Sequence, residues 1–223
     1  MKVLALETSS EFCSAALALD GRVIAREAQV GQGHSEMLLP MAVGLMAEAR
    51  VTLRTLDGIA FGAGPGSFTG LRIACGVAQG LAFGAGVKVV GISTLLALAQ
   101  ASAAPRAICC IDARMGEVYH AAYERTGAGW RTVHEPGLYR PADVPPVEGT
   151  GWTGVGTGFA AHGAALAQRY GAALGGVEPQ RVPGAGAIAE LAAAEFSRGG
   201  GVAAEAAAPL YIRDKVALRV DER

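Results

Sequence analysis

The sequence has no excess of either charge and no long hydrophobic run. Its 223 residues include 19 Lys and Arg against 20 Asp and Glu, so we expect no basic surface of the kind that binds nucleic acid. The most apolar segment, residues 73–87, is interrupted by Gln79 and is shorter than the ~20 residues of a membrane-spanning helix. The apolar start reaches Glu7 too soon for a signal-peptide core. We therefore predict a soluble cytoplasmic protein without membrane contact.

The sequence also lacks the motifs of metal, redox and protease sites. Its four cysteines show no Cys-x-x-Cys spacing, so we interpret them as small buried hydrophobic residues. No two of its histidines have the i, i+4 spacing of a helical metal site, and no His-Glu-x-x-His motif or Ser-His-Asp order is evident. We therefore expect no metal, no cofactor and no protease activity. The histidines are His34, His120, His134 and His162.

Two stretches of the chain each begin with three predicted strands and continue with alternating helices and strands. Asp20-Gly21 supplies a hairpin turn in the first stretch, and Pro105 marks the boundary. The predicted strands cover residues 2–8, 13–20, 23–30, 58–62, 87–92, 107–111, 117–123, 130–135 and 153–155. The predicted helices cover residues 34–49, 71–83, 94–103, 159–170 and 185–196. This is the pattern of a duplicated α/β unit, with lobes at residues 1–104 and 105–223, the second ending in a short charged tail.

Several segments resemble known families. Residues 4–10 and 13–17 resemble the first hairpin of the actin-like ATPases, in which an acidic residue ends strand one beside the phosphates. Four further segments, in order, resemble signature segments of the TsaB (YeaZ) family: residues 33–40, 64–72, 112–119 and 209–213. The resemblance implies an α/β actin-like ATPase fold (ASKHA, ribonuclease H-like), in which two similar lobes each hold a mixed sheet flanked by helices.

The resemblance to TsaB also implies a function and a set of partners. TsaB proteins support TsaD, a catalytically active paralogue, together with the ATPase TsaE. The reaction transfers threonylcarbamoyl to the adenosine at position 37 of tRNAs that read codons beginning with A. The implied role is a non-catalytic subunit that forms a homodimer alone, a heterodimer with TsaD, and only indirect contact with tRNA. TsaD carries two metal-binding histidines after one strand, where this sequence has residues 91–96 without histidine.

A second function stays open at this point, an independent actin-like ATPase or phosphotransferase. Its weak nucleotide-site candidates are Glu7, Gly64, Gly66 and Asp112. The glycine-rich segment 64–70 could present backbone N–H groups to phosphate, although it lacks the Gly-Lys-Ser/Thr of a P-loop. We favour a plain strand-to-helix turn in which Ser67 or Thr69 caps the helix.

The segment after Asp112 also has two interpretations. Arg114 and Met115 fill the turn with bulk that would obstruct a nucleotide. Alternatively, Arg114 and Glu117 form a polar contact at the cleft between the lobes or with a partner subunit. The roles of Arg114, Glu117 and Arg213 stay open.

The first predicted helix has almost no polar face and needs cover on both sides. One side packs on the sheet, so we expect the other to meet a partner protein, with cover by a neighbouring helix as the alternative. The candidate partner-interface residues are Met37, Leu38, Met41, Leu45, Met46, Ile73 and Val77. His34, where this helix begins, is expected to be a surface or capping residue.

Overall fold

A computed structural model of the chain describes residues 1–127 and 129–213, which form ten strands and five α-helices. The strands are β1 (Lys2–Glu7), β2 (Phe12–Leu19), β3 (Arg22–Gln29), β4 (Gly58–Gly64), β5 (Lys88–Ser93), β6 (Arg106–Asp112), β7 (Val118–Thr126), β8 (Gly129–Tyr139), β9 (Trp152–Val155) and β10 (Leu174–Glu178). The α-helices are α1 (His34–Glu48), α2 (Phe68–Ala85), α3 (Thr94–Ala101), α4 (Thr157–Tyr170) and α5 (Ala185–Ser197).

The strands form two five-stranded sheets with the same internal order. The first runs β3-β2-β1-β4-β5 and the second runs β8-β7-β6-β9-β10. In each sheet the first three strands along the chain form an antiparallel meander, and the last two are parallel to its first strand. This repetition confirms the predicted fold class, two similar actin-like lobes that each contain a mixed sheet.

The central strand β1 of the first sheet is buried on both faces, and its residues alternate between two cores. Leu4 and Leu6 pack in the cluster that contains the buried residues of α1 and α2. Val3 and Ala5 pack on the opposite face, against the buried residues of α5. Full burial of such side chains contributes ~1.5–3 kcal/mol each, so the lobe depends on helices on both sides.

The second sheet is covered in the same way, but its cover comes partly from the other half of the chain. Ile108 and Cys110 of β6 pack on the α4 side, and Ala107 and Cys109 pack on the α3 side. Helix α3 precedes the predicted lobe boundary after Ala104 and contacts β6 and β7, whereas α5 follows it and contacts β1 and β2. The two helices also contact each other. Each half of the chain therefore supplies one helix to the opposite sheet.

Local sequence features, such as capping side chains and turn residues, explain where several helices and strands begin and end. Ser67 caps α2 by accepting a hydrogen bond from the Gly70 N–H group, so α2 begins at Phe68, earlier than the predicted residue 71. Asp20 and Gly21 adopt φ values of 48° and 90°, which confirms the predicted hairpin turn. Strand β10 was not predicted, because the Gly175-Gly176 pair inside it is typical of a turn, and only its pairing with β9 makes it a strand.

Candidate functional site

A cleft of about 1320 Å³ lies between the two lobes. Its walls include the turns that follow β1, β4, β6 and β9, the segments after β3 and β10, and residues 210–213. Strands β1, β4, β6 and β9 all run parallel to a neighbour in their sheet, and the carboxyl ends of such strands are where open α/β sheets bind ligands. The cleft is therefore the first place to test the predicted nucleotide-site residues.

Glu7 lies beneath the cleft and does not line it. Its side chain is fully buried, and one carboxylate oxygen accepts a hydrogen bond from the Ser9 N–H group. The other oxygen has no hydrogen-bond partner among the described residues and packs over Gly62, where an added Cβ would lie 1.6 Å away. Burial raises the pKa of this carboxyl to about 7. This placement corrects the expectation of an acidic residue beside bound phosphates.

The glycine-rich segment after β4 is packed against the turn between β1 and β2. An added Cβ at Gly66 would lie 2.6 Å from the Ser9 Cβ atom, so only glycine permits this approach. Gly64 has φ 119° and is buried beside the backbone of Leu210. The Ser67 N–H group donates to the Ser9 carbonyl oxygen at 2.8 Å. These contacts match the interpretation of the segment as a strand-to-helix turn.

Asp112 does line the cleft, but its carboxylate already has partners. It accepts hydrogen bonds from the Arg114 N–H group at 3.0 Å and from the Arg114 guanidinium at 3.1 Å. Nε2 of His162 lies 3.6 Å from the same carboxylate. Arg114 and Met115 both adopt positive φ values and line the cleft. Bulky side chains therefore stand at this turn, as the sequence predicted.

The structure gives the side-chain partners of Arg114 and Glu117 within the chain. Arg114 pairs with Asp112, whereas Glu117 pairs with Arg213 at 2.6 Å. Arg114 and Glu117 contact each other through the backbone, where the Glu117 N–H group donates to the Arg114 carbonyl oxygen at 3.1 Å. A contact of either side chain with a partner subunit stays a prediction.

Helix α1 divides the predicted partner-interface residues into two groups. Leu38, Leu45 and Met46 lie in the core of the first lobe, because the i, i+7 and i+8 positions of a helix share the face that meets the sheet. This corrects their assignment to a partner surface. Met37 is exposed, and Met41 is half-buried.

The exposed apolar face contains large residues that the sequence analysis did not select. Leu39 is 43% exposed, Val43 is 50% exposed and Phe83 of α2 is 81% exposed. Ile73 and Val77 of α2 are half-buried beside α1 residues of the same core. The sequence offers no signal that separates Leu39 and Val43 from the core positions, because large apolar residues occur on every side of α1.

Two histidines are buried: His34, which was expected at the surface, and His120, for which no prediction was made from the sequence. His34 is buried, and its Nε2 lies 2.9 Å from the Ser10 carbonyl oxygen, which corrects its predicted surface position. His120 of β7 is fully buried in the second lobe, with Nε2 2.8 Å from the Tyr170 hydroxyl. Burial lowers the pKa of His120 to about 3. Neither histidine lies in a metal cluster, since residues 1–127 and 129–213 contain no group of three or more potential ligands.

None of the described helices combines the length and the apolar character that a membrane crossing requires.

Tyr119 of β7, Thr157 of α4 and Arg181 complete the cleft wall on the side of the second lobe. The cleft therefore offers hydroxyl and guanidinium groups, while its two carboxylate candidates are either buried or paired.

Known proteins resemble this chain over nearly its whole length. The family model of TsaD, described as tRNA N6-adenosine threonylcarbamoyltransferase, matches residues 24–217. The tRNA threonylcarbamoyladenosine biosynthesis protein TsaB of Escherichia coli is 38% identical over 98% of this chain and 97% of its own length. The protein of the same name from Haemophilus influenzae is 34% identical over 97% and 95%.

Two solved structures share the fold. YeaZ from Pseudomonas aeruginosa is 39% identical, with a TM-score of 0.87 over 94% of this chain and 99% of its own. A second structure, from the same organism and described as similar to peptidase YEAZ, gives 0.88 at 38% identity over 95% and 99%. With the same two-lobed architecture and this identity over nearly the whole of both chains, the chain belongs to the TsaB (YeaZ) family.

Proposed function

We propose that the chain is a supporting, non-catalytic subunit in the synthesis of threonylcarbamoyladenosine in tRNA. Membership of the TsaB family supports the pathway, because the curated relatives are named for it. The observation that carries the subunit role is the exposed apolar face of α1 and α2, centred on Leu39, Val43 and Phe83. Large apolar side chains grouped on an otherwise folded surface mark sites of protein association.

This face, which we define as the α1–α2 face, has the chemistry of an interface centre. Leu39 and Val43, four residues apart, lie on one side of α1, while α2 adds Phe83 and the accessible parts of Ile73 and Val77. Met37, two residues before Leu39, is exposed on the other side of the helix. Charged residues are depleted at the centre of interfaces, and these five positions of the face carry none. The occupants that we propose are a second copy of the chain or the TsaD paralogue.

The same proposal assigns the chemistry to other subunits. TsaD would carry out the transfer to adenosine at position 37 of tRNAs that read codons beginning with A, and TsaE would act as the ATPase. The segment that replaces the two TsaD histidines supports this division, because Ile92 and Leu95 lie there as buried core residues. The balanced charge of the chain supports an indirect contact with tRNA in the cytoplasm.

Reconstitution tests the proposed pathway. We would combine the purified chain with TsaD and TsaE from the same organism and measure threonylcarbamoyladenosine in tRNA while each component is omitted in turn. We expect that omission of this chain abolishes the product and that the chain alone makes none. Unchanged product without the chain would reject the proposal.

Charged substitutions test the α1–α2 face separately. We expect Leu39→Asp with Val43→Asp to leave the fold intact and to abolish dimer formation, because each charge would lose its water on association. Light scattering gives the mass, and circular dichroism checks the fold. Val177→Asp on the edge strand β10, 44% exposed in the native chain, is the matched control and should remain dimeric. A dimer that survives the double substitution would remove this face from the proposal.

The cleft supports a second candidate, an independent ATPase or phosphotransferase. Its volume suits a nucleotide, and it holds the N-terminal turns of α2 and α4. Burial of Glu7 and the pairing of Asp112 with Arg114 weigh against it. Calorimetry with ATP and magnesium decides the matter, since micromolar binding that Arg114→Ala strengthens and Gly66→Ala abolishes would favour this candidate.

A further inference from the structure

The last described segment of the chain, residues 207–213, runs along the first lobe toward the cleft. We name it the C-terminal strap. Its start is held by α2, because the Ala207 carbonyl oxygen accepts a hydrogen bond from Nε2 of Gln79 at 2.9 Å. Its middle is held by β4, since the Leu210 N–H group donates to the Ala63 carbonyl oxygen at 2.7 Å. The strap is therefore attached to the first lobe at two separate elements.

Tyr211 adds a side-chain attachment at the N-terminal end of α2. Its ring centroid lies 5.5 Å from that of Phe68, and its hydroxyl accepts a hydrogen bond from Nε of Arg72 at 2.9 Å. The Arg72 guanidinium in turn lies 3.7 Å from the centre of the Phe68 ring. Stacking and the cation–π contact position this part of the strap at the cleft wall.

Arg213 then crosses to the second lobe. Its guanidinium donates a hydrogen bond to the Glu117 carboxylate at 2.6 Å and lies 3.0 Å from the Met115 sulfur atom. The Arg213 side chain is only 13% exposed, so water screens this ion pair less than it screens most surface pairs. Glu117 is itself tied to the turn, because its carbonyl oxygen accepts from the Ala113 N–H group at 2.9 Å.

We propose that the C-terminal strap is a latch that sets the opening of the interlobe cleft, with Arg213 as its positioning residue. The strap contacts β4 and α2 on one wall and the turn between β6 and β7 on the other, and residues 210–213 line the cleft itself. Loss of the Arg213–Glu117 pair frees the second wall from the first. The lobes can then separate about the helices α3 and α5, which pack between the sheets. This inference is independent of the proposed partner role.

Pulsed electron paramagnetic resonance tests the latch in the full chain. Spin labels are placed on opposite walls of the cleft through Gln32→Cys and Ala160→Cys, both exposed positions. The native cysteines are buried, which favours labelling of the introduced ones, and dilution with unlabelled protein removes distances between copies. We expect one narrow distance distribution in the labelled chain. In Arg213→Gln, the population with longer distances should increase on the order of tenfold relative to the population with the original distance. This factor corresponds to the loss of one charge-assisted hydrogen bond.

Matched variants separate a latch from general stabilisation. Glu117→Gln should give the same longer distances, and the reversed pair Arg213→Glu with Glu117→Arg should restore the narrow distribution. Arg198→Gln removes a 2.7 Å ion pair with Glu195 at the C-terminal end of α5 and should leave the distances unchanged. Unchanged distances in both Arg213→Gln and Glu117→Gln would overturn the proposal. If the melting temperatures of these variants fall while the distances stay the same, Arg213 only stabilises the fold.

Discussion

The two lobes share one strand order but bury different ionisable groups. The first lobe buries Glu7 at the end of its central strand, where burial raises the pKa of the carboxyl to about 7. The second lobe buries His120 in β7, where burial lowers the pKa of the imidazole to about 3. In both cases the neutral form is favoured in the folded chain. One scaffold therefore responds to pH in opposite directions in its two halves.

The lobes also differ on their outer helices. On the first lobe, α1 and α2 expose Leu39, Val43 and Phe83. On the second lobe, the exposed positions of α4 are alanines together with Gln168 and Arg169. A duplicated fold thus has an apolar outer face on one copy only. The two halves therefore share their sheets but differ on their outer surfaces.

The largest expected effect concerns His120. Its pKa is lower in the folded chain than in the unfolded one, so its contribution to stability is complete above pH 6.5 and is lost as the pH falls toward about 3. The total amounts to roughly 5 kcal/mol of unfolding free energy. We expect His120→Gln to remove most of this dependence and to retain a partner for the Tyr170 hydroxyl.

Urea unfolding at a series of pH values measures this effect. The control is Tyr170→Phe, which removes the 2.8 Å contact with His120 but leaves a buried imidazole that still resists protonation. On acidification, the unfolding free energy of the wild type should fall more steeply than that of His120→Gln. Equal slopes would contradict the interpretation.

The next effect has the opposite sign and concerns Glu7. Its pKa is raised in the folded chain, so its contribution to stability is complete below pH 4.5 and is lost as the pH rises through about 7. The loss amounts to roughly 3 kcal/mol. Glu7→Gln should therefore gain relative stability at pH 8 compared with pH 5. If the difference in unfolding free energy between wild type and variant is constant with pH, the two lobes do not differ in the way described.

The smallest effect compares the helices that follow β4 and β9. Helix α2 is capped by the Ser67 side chain, whereas α4 begins after Gly156, which has no side chain for capping. We expect Ser67→Ala to cost about 1 kcal/mol of unfolding free energy, with Thr69→Ala as an exposed control of little effect. Chemical denaturation measures both. Equal costs would mean that the hydroxyl of Ser67 does not act as a cap.

The partner surface shows where prediction from sequence stopped. The apolar character of α1 was read correctly, but Leu38 was assigned to the outside although it lies in the core. In a helix that is apolar all round, composition does not distinguish the face on the sheet from the face in water. Leu39 and Val43 are set apart only by the orientation in which α1 packs on β2 and β3.

Sequence alone determined the features that depend on neighbours along the chain. The Asp20-Gly21 turn, a helix capped by Ser67 or Thr69 and the three strands that open each half follow from backbone sterics, local hydrogen bonds and hydrophobic period. Tertiary structure decided what depends on distant segments: the burial of Glu7 beneath the cleft, the exchange of α3 and α5 between sheets, and the contact of Arg213 with Glu117. Such contacts join residues far apart in the sequence, so their energies arise only once the chain has folded.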